Sequence, residues 1–347
     1  MKKKIVNYLR KAEWEGNKGP LDRLLLAVYR CYRRFRLGIR RIDDPTYSRL
    51  FLRSRNLKRN LSGSRINFVS IDQASIWTTE WIQAFPTQYD LVVGVPRSGM
   101  LVASIIALKL GKGLTTPDLL KSGDYWHSSR AGRKLSLDEI RHILVVDDSI
   151  DKGRAMAKAM TVIESIDKDF SVTKAALIVR EKTKHKADLY YKVIEPPRSF
   201  EWNLMHRKIA SYAGSGMLAT DLDGVLCANP PRGADEDEDW YLEWLGNANP
   251  YFIPGFEIDV ILTCRLEQYR EPTEHWLRRN GVQFKALQMW DVPNKDARRG
   301  SFARYKSDAL LRIKPDMYWE SDWEQAQTIW KETRIPTLCF DEMTLLN

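Results

Sequence analysis

The chain has 347 residues, a formal net charge of +10 and 44% hydrophobic residues. That length gives room for two or more domains, and ordinary apolar and aromatic content excludes global disorder. No apolar run approaches ~18 residues, which excludes a spanning helix. The four cysteines (Cys31, Cys227, Cys264, Cys339) lie too far apart for a zinc site and suit a reducing compartment.

The charge is uneven. Residues 1–60 carry 18 Lys plus Arg against 5 Asp plus Glu, a net of +13, which leaves about −3 for the remainder. Residues 1–62 therefore form a basic N-terminal segment, without the apolar core and cleavage site of a signal peptide. Within it, 19–42 is expected to be a helix. Pro20 suits a first helical position, and Leu21, Leu24, Leu25, Val28, Tyr32, Phe35, Ile39 and Ile42 make one apolar stripe among arginines. Such a helix can lie on an anionic membrane or pack on the fold with a solvated basic face. Nucleic acid is not expected as a partner, because no binding motif accompanies the charge.

Residues 63–205 read as a first α/β domain. In 90–111, "DLVVGVPRSGMLVASIIALKLG", a buried strand (91–95) meets the turn Pro96, Arg97, Ser98, Gly99 and then a helix. Residues 114–138 lack periodicity and are expected to form a lid. In 143–155, "ILVVDDSIDKGRA", an apolar strand (143–146) runs into Asp147 and Asp148, then Asp151, Lys152, Gly153 and Arg154, and a helix to about 166. Ligands of a parallel sheet bind beyond the carboxyl ends of its strands. Two adjacent carboxylates can accept from two vicinal hydroxyls, as on a ribose. The loop 151–155 offers backbone N–H groups at a helix N-terminus, and Lys152 and Arg154 add charge for a phosphate. A further buried strand follows at 174–180, and Trp202 either stacks on an acceptor or packs.

Residues 206–216 are expected to be a linker, and 217–347 a second α/β domain. Its first strand ends in "DLDGV", placing Asp221 and Asp223 together, so that one carboxylate attacks phosphorus and the other shuttles a proton. Thr263 ends the strand 259–263, Lys306 opens a helix, and Glu320 and Asp322 end a third strand. A last strand is expected near 336–340. Such a site calls for a divalent cation, with Asp221, Asp223, Glu320 and Asp322 as oxygen ligands to Mg2+. Too little chain lies between these motifs for a full cap domain. The short acidic run 234–240 is expected to be a solvated loop.

Residues 143–155 resemble the signature of type I phosphoribosyltransferases. The resemblance, over about 65–205, implies that Asp147 and Asp148 bind the ribose hydroxyls of phosphoribosyl pyrophosphate and that Lys152, Gly153 and Arg154 lie in the 5-phosphate loop. It makes Pro96, Arg97, Ser98 and Gly99 a pyrophosphate loop and turns Asp151 toward the acceptor as base or orienter. A helix N-cap is the other reading of Asp151. The family usually carries Thr where Lys152 and Ala155 stand. Residues 217–347 resemble the haloacid dehalogenase superfamily of phosphatases, which implies Asp221 as nucleophile and Asp223 as acid/base, with Thr263 and Lys306 in support.

The fold class expected is therefore α/β: two parallel-sheet domains, the second without a large cap, after a basic helical segment. Together the two sites suggest transfer of 5-phosphoribosyl to an acceptor with inversion to the β anomer, then loss of the 5-phosphate. This resembles the bifunctional ribofuranosyltransferases of bacterial polysaccharide assembly, which implies a glycan or lipid-linked glycan acceptor at the cytoplasmic face of the membrane. Two alternatives stay open: a nucleobase phosphoribosyltransferase joined to a nucleotide phosphatase, and a phosphatase governed by a phosphoribosyl pyrophosphate sensor.

Overall fold

A computed structural model describes residues 66–85, 89–127, 133–206, 216–231, 239–298 and 302–347. The chain divides after Arg65, and every described residue lies in Ile66–Asn347. The basic segment 1–62, with its expected helix at 19–42, and the centre of the expected linker lie outside the described residues.

The first half runs β1 (Asn67–Val69), α1 (Ile71–Trp81), β2 (Leu91–Gly94), α2 (Gly99–Leu110), β3 (Gly113–Thr115), α3 (Pro117–Lys121), β4 (His142–Ile150), α4 (Arg154–Glu164), β5 (Ser171–Val179), β6 (Leu189–Val193) and β7 (Arg198–Phe200). Five strands make one parallel sheet in the order β3-β2-β4-β5-β6. Side chains alternate across a strand. Val92, Leu144 and Val146 accordingly pack on one face with Val102 and Ile106 of α2. Leu91, Val93, Ile143 and Val145 pack on the other with Met156 and Ile163 of α4. Both faces are covered, so these strands are apolar runs rather than alternating ones. Ser70 caps α1 by accepting from the Gln73 N–H at 3.1 Å.

The second half runs β8 (Leu218–Thr220), α5 (Asp239–Asn247), β9 (Ile258–Leu266), α6 (Arg270–Arg279), β10 (Phe284–Trp290), α7 (Phe302–Ile313), β11 (Met317–Glu320), α8 (Trp323–Thr333), β12 (Thr337–Cys339) and β13 (Thr344–Leu346). Its sheet has the order β10-β9-β8-β11-β12-β13, parallel except for β13. β8 and β11 sit at the centre, so residues at their ends share one edge.

The halves are not independent. β1 and β7 form a separate parallel pair. Leu204 is buried in the core of the second sheet beside Leu218, Trp319 and Phe340, with Ile66, Phe68 and Met205 packed against that core. The Gly255 N–H donates to the Met205 carbonyl at 2.8 Å, and the Ile66 N–H to Asn347 Oδ1 at 2.8 Å. The ends of the first domain thus finish the core of the second.

Several expected elements differ. The strand expected at 143–146 continues to Ile150, because β5 supplies ladder partners beyond the end of β2. The strand expected at 259–263 runs on to Leu266 beside β10. Much of the lid expected at 114–138 is core structure. β3 pairs with β2, Leu120 of α3 is buried, and Leu114 bridges to Trp126. Residues 128–132 lie outside the described residues. The strand at Thr337–Cys339 is not the last, since β13 returns antiparallel beside it. The acidic run gives way to α5 at Asp239.

Candidate active sites at two strand ends

β2 stops at Gly94, opposite Val146, so β4 projects past its neighbour just where Asp147 and Asp148 begin. The turn after β2 folds onto this projection, with the Val95 N–H donating to the Val146 carbonyl at 2.8 Å. Gly99 makes the approach possible. A Cβ there would stand 2.8 Å from Val146 O and 3.2 Å from Asp147 Oδ1. Ser98 Oγ donates to Asp148 Oδ1 at 2.6 Å. Trp202 Nε1 donates to Asp148 Oδ2 at 2.8 Å, with its ring stacked on Phe200. Trp202 therefore packs, as one sequence reading had it, and also holds a predicted ribose acid. Arg97 reaches across to the Trp202 carbonyl at 3.3 Å and to the His206 ring. Pro96 continues the same turn.

Both acids are nearly inaccessible. Burial first, and then the charge of Asp148, push the Asp147 carboxyl well above the usual carboxylate range. Asp147 Oδ1 accepts the Asp148 N–H at 3.0 Å. Beyond them, Gly153 takes a left-handed φ of 78° and is the residue preceding α4. Asp151 is thus not the helix cap. Its Oδ1 accepts from Arg180 Nη1 at 2.8 Å, and the buried Arg198 guanidinium stands 3.8 Å away. This carboxylate is ion-paired, so the expected role as a base toward an acceptor requires the Arg180 contact to open. Lys152 and Arg154 are exposed on the same loop.

At the second sheet, Asp221 follows β8 directly and is buried. Its Oδ1 accepts the Leu222 N–H at 2.8 Å, and its Oδ2 accepts from Lys306 Nζ at 2.6 Å. Lys306 also donates to Glu320 Oε2 at 2.8 Å. Lys306 lies in the second turn of α7 rather than opening it, where the helix can reach both strand ends. Burial pulls the lysine down, but the facing charges of Asp221 and Glu320 outweigh it and hold its pKa well above the ordinary value. Two carboxylates share this one ammonium. Burial first, with Glu320 and Asp223 adding, pushes Asp221 well up despite Lys306.

Asp223 has a partner outside the motif residues. Arg265 Nη2 donates to Asp223 Oδ1 at 2.6 Å and Nε to Oδ2 at 3.0 Å, a two-point fork. Arg265 is itself buried, with Trp244 under its guanidinium at 5.3 Å and Thr273 Oγ1 at 3.3 Å. Thr263 is buried inside β9, its hydroxyl accepting the Arg265 N–H at 3.2 Å, so it positions the fork rather than ending the strand. Asp322 caps α8 by accepting the Gln325 N–H at 2.7 Å. The sequence signal for Arg265 was its place two residues after Thr263 on an apolar strand, where an arginine needs a carboxylate.

The expected Mg2+ ligand set does not fit these contacts. Lys306 stands between Asp221 and Glu320, Arg265 occupies both oxygens of Asp223, and Asp322 is used as a cap. Among the described residues, no three His, Cys, Asp or Glu side chains are grouped to hold a metal ion. Cys227, Cys264 and Cys339 are free thiols, and none lies in a disulfide.

Residues 71–209 match the family model described as phosphoribosyl transferase domain. The chain carries a phosphoribosyltransferase-type domain. This domain type supports a transferase that uses phosphoribosyl pyrophosphate. Among solved structures, the chain is similar to a xanthine-guanine-hypoxanthine phosphoribosyltransferase from Helicobacter pylori (19% identity, 40% of this chain and 93% of that one, TM-score 0.32). It is also similar to a purine phosphoribosyltransferase from Pyrococcus horikoshii (17% identity, 39% and 92%, TM-score 0.27) and an orotate phosphoribosyltransferase from Aeropyrum pernix (18% identity, 42% and 75%, TM-score 0.24). No curated protein matches the chain. Among the described residues, no helix is long and apolar enough to cross a membrane.

Proposed function

We propose that the chain transfers 5-phosphoribosyl from phosphoribosyl pyrophosphate to a glycan hydroxyl and then hydrolyses the 5-phosphate, leaving β-ribofuranose. The observation that carries this reading is a second strand-end site, Asp221–Lys306–Glu320, in the same compact unit as the phosphoribosyltransferase-type domain. In the first step the acceptor oxygen attacks C1 of the ribose. The C1–O bond to pyrophosphate breaks, pyrophosphate leaves with the electron pair, and the hydroxyl proton is released. Asp147 and Asp148 accept from the ribose hydroxyls, and the turn 96–99 faces the leaving group. In the second step an Asp221 oxygen attacks phosphorus, the P–O5 bond breaks, and O5 takes a proton. Water then cleaves the aspartyl phosphate to orthophosphate and restores Asp221. Proton transfer through Asp223 requires its fork with Arg265 to open. A lipid-linked glycan suits the basic amphipathic stretch 19–42 and the short connections of a capless phosphatase.

The two steps separate by mutation. Asp221→Asn, given phosphoribosyl pyrophosphate, Mg2+ and glycolipid extracts or nucleobases, is expected to leave a product that retains phosphate, read by mass spectrometry. Asp148→Asn is expected to abolish transfer yet hydrolyse p-nitrophenyl phosphate. A phosphate-free glycan from Asp221→Asn overturns the division of labour. Addition to a nucleobase instead moves the acceptor into nucleotide chemistry.

A further inference from the structure

The loop 151–155 carries Lys152 and Ala155 where the resemblance puts hydroxyl side chains, so a phosphate bound there lacks two ordinary donors. The fold brings a cation to the loop from elsewhere in the chain. Lys186 closes the 3-10 turn Glu181–Lys186 between β5 and β6. Its Nζ donates to the Lys152 carbonyl at 2.7 Å. Its stem crosses Gly153 so closely that a Cβ on that glycine would stand 2.7 Å from Lys186 Cδ and 3.4 Å from Nζ. The ammonium is therefore set beside the residue that opens α4. An ammonium has three donors, and the Lys152 carbonyl takes one.

The charge around it is uncompensated. Asp151, the acid of the loop, is taken by Arg180. Among the described residues, Lys152, Arg154 and Lys186 make no ion pair. Lys186 Nζ thus stands at the loop that leads into α4, where a phosphate dianion gains from both charge and dipole, and Lys152 and Arg154 add positive charge to the same loop.

We propose that Lys186 is a binding residue for the 5-phosphate of the donor sugar, supplying by charge what the loop lacks in hydroxyls. The inference rests on the phosphoribosyl pyrophosphate reading of this site. It also makes the loop selective for a doubly charged phosphate monoester over an unphosphorylated ribose, because ammonium contacts strengthen with ligand charge. Lys186 is exposed, so its replacement leaves the core intact.

The test is calorimetric titration of the full chain with ribose 5-phosphate, phosphoribosyl pyrophosphate and pyrophosphate. Lys186→Gln keeps a donor for the Lys152 carbonyl but removes the charge, and Lys186→Arg restores the charge. Lys186→Gln is expected to weaken both ribose phosphates by about 10-fold, leaving pyrophosphate unchanged, and Lys186→Arg to recover most of the loss. Equal weakening by Gln and Arg marks a structural role and overturns the proposal, as does unchanged binding in Lys186→Gln. Wild-type chain that binds pyrophosphate but neither ribose phosphate removes the donor-site reading itself, and the proposal with it.

Discussion

Single residues at both strand ends are held by facing charges. Lys306 is the sharpest case. It is buried between Asp221 and Glu320, with distances of 2.6 and 2.8 Å. Removing one partner of a buried ionic cluster costs about 3–5 kcal/mol, because the remaining charges lose their compensation. Lys306→Met is therefore expected to destabilise the protein by about that much at pH 8, measured by denaturant unfolding. The sign with pH follows from the acids left behind. Asp221 already stands above its ordinary pKa through burial, and without the lysine it is pushed further up. The penalty exists while Asp221 is ionised, and it shrinks as pH falls through its raised pKa. The loss at pH 5 is thus expected to be smaller than at pH 8, and an equal loss at both speaks against a charge effect.

At the scale of elements, the strands and the acids that end them were legible in the sequence, and their partners were not. The apolar runs before Asp147 and Asp221 are buried on both faces, so hydrophobicity alone marks them. Asp147 and Asp148 lie in the part of β4 that projects past β2, Asp221 follows β8, Glu320 ends β11, and Lys306 reaches the latter pair from α7. Arg180, Lys186, Arg198 and Arg265 reach these sites from other strands and turns, across 29 to 47 positions in the contacts with Asp151, Lys152 and Asp223. No local pattern encodes such pairings. The first part of the expected lid is core structure instead, because β3 and α3 are short, and short elements carry too few turns to show a period. The segment 198–206 is the least legible. It reads as a domain end, yet it bonds Asp148 through Trp202 and enters the second core through Leu204. Leu204→Ala is expected to cost about 2–5 kcal/mol. Because its neighbours belong to both halves, calorimetry is expected to show one transition shifted down as a whole. Two separated transitions, with only the later one moved, contradict a shared core.

On the scale of the whole molecule, the two strand-end sites occupy one unit, joined by Leu204 in the second core and by the hydrogen bonds Ile66–Asn347 and Gly255–Met205. In the proposed two-step reaction, loss of phosphate is what makes the sequence hard to reverse. The most direct measurement uses phosphoribosyl pyrophosphate labelled at the 5-phosphate, wild-type chain, Mg2+ and a lipid-linked glycan extract, following pyrophosphate and labelled orthophosphate together. Labelled orthophosphate equal in amount to pyrophosphate, appearing only when acceptor is present and absent in Asp148→Asn, is the expected result. Labelled orthophosphate formed without acceptor, or pyrophosphate release with all label left on the acceptor, contradicts two sites acting in series.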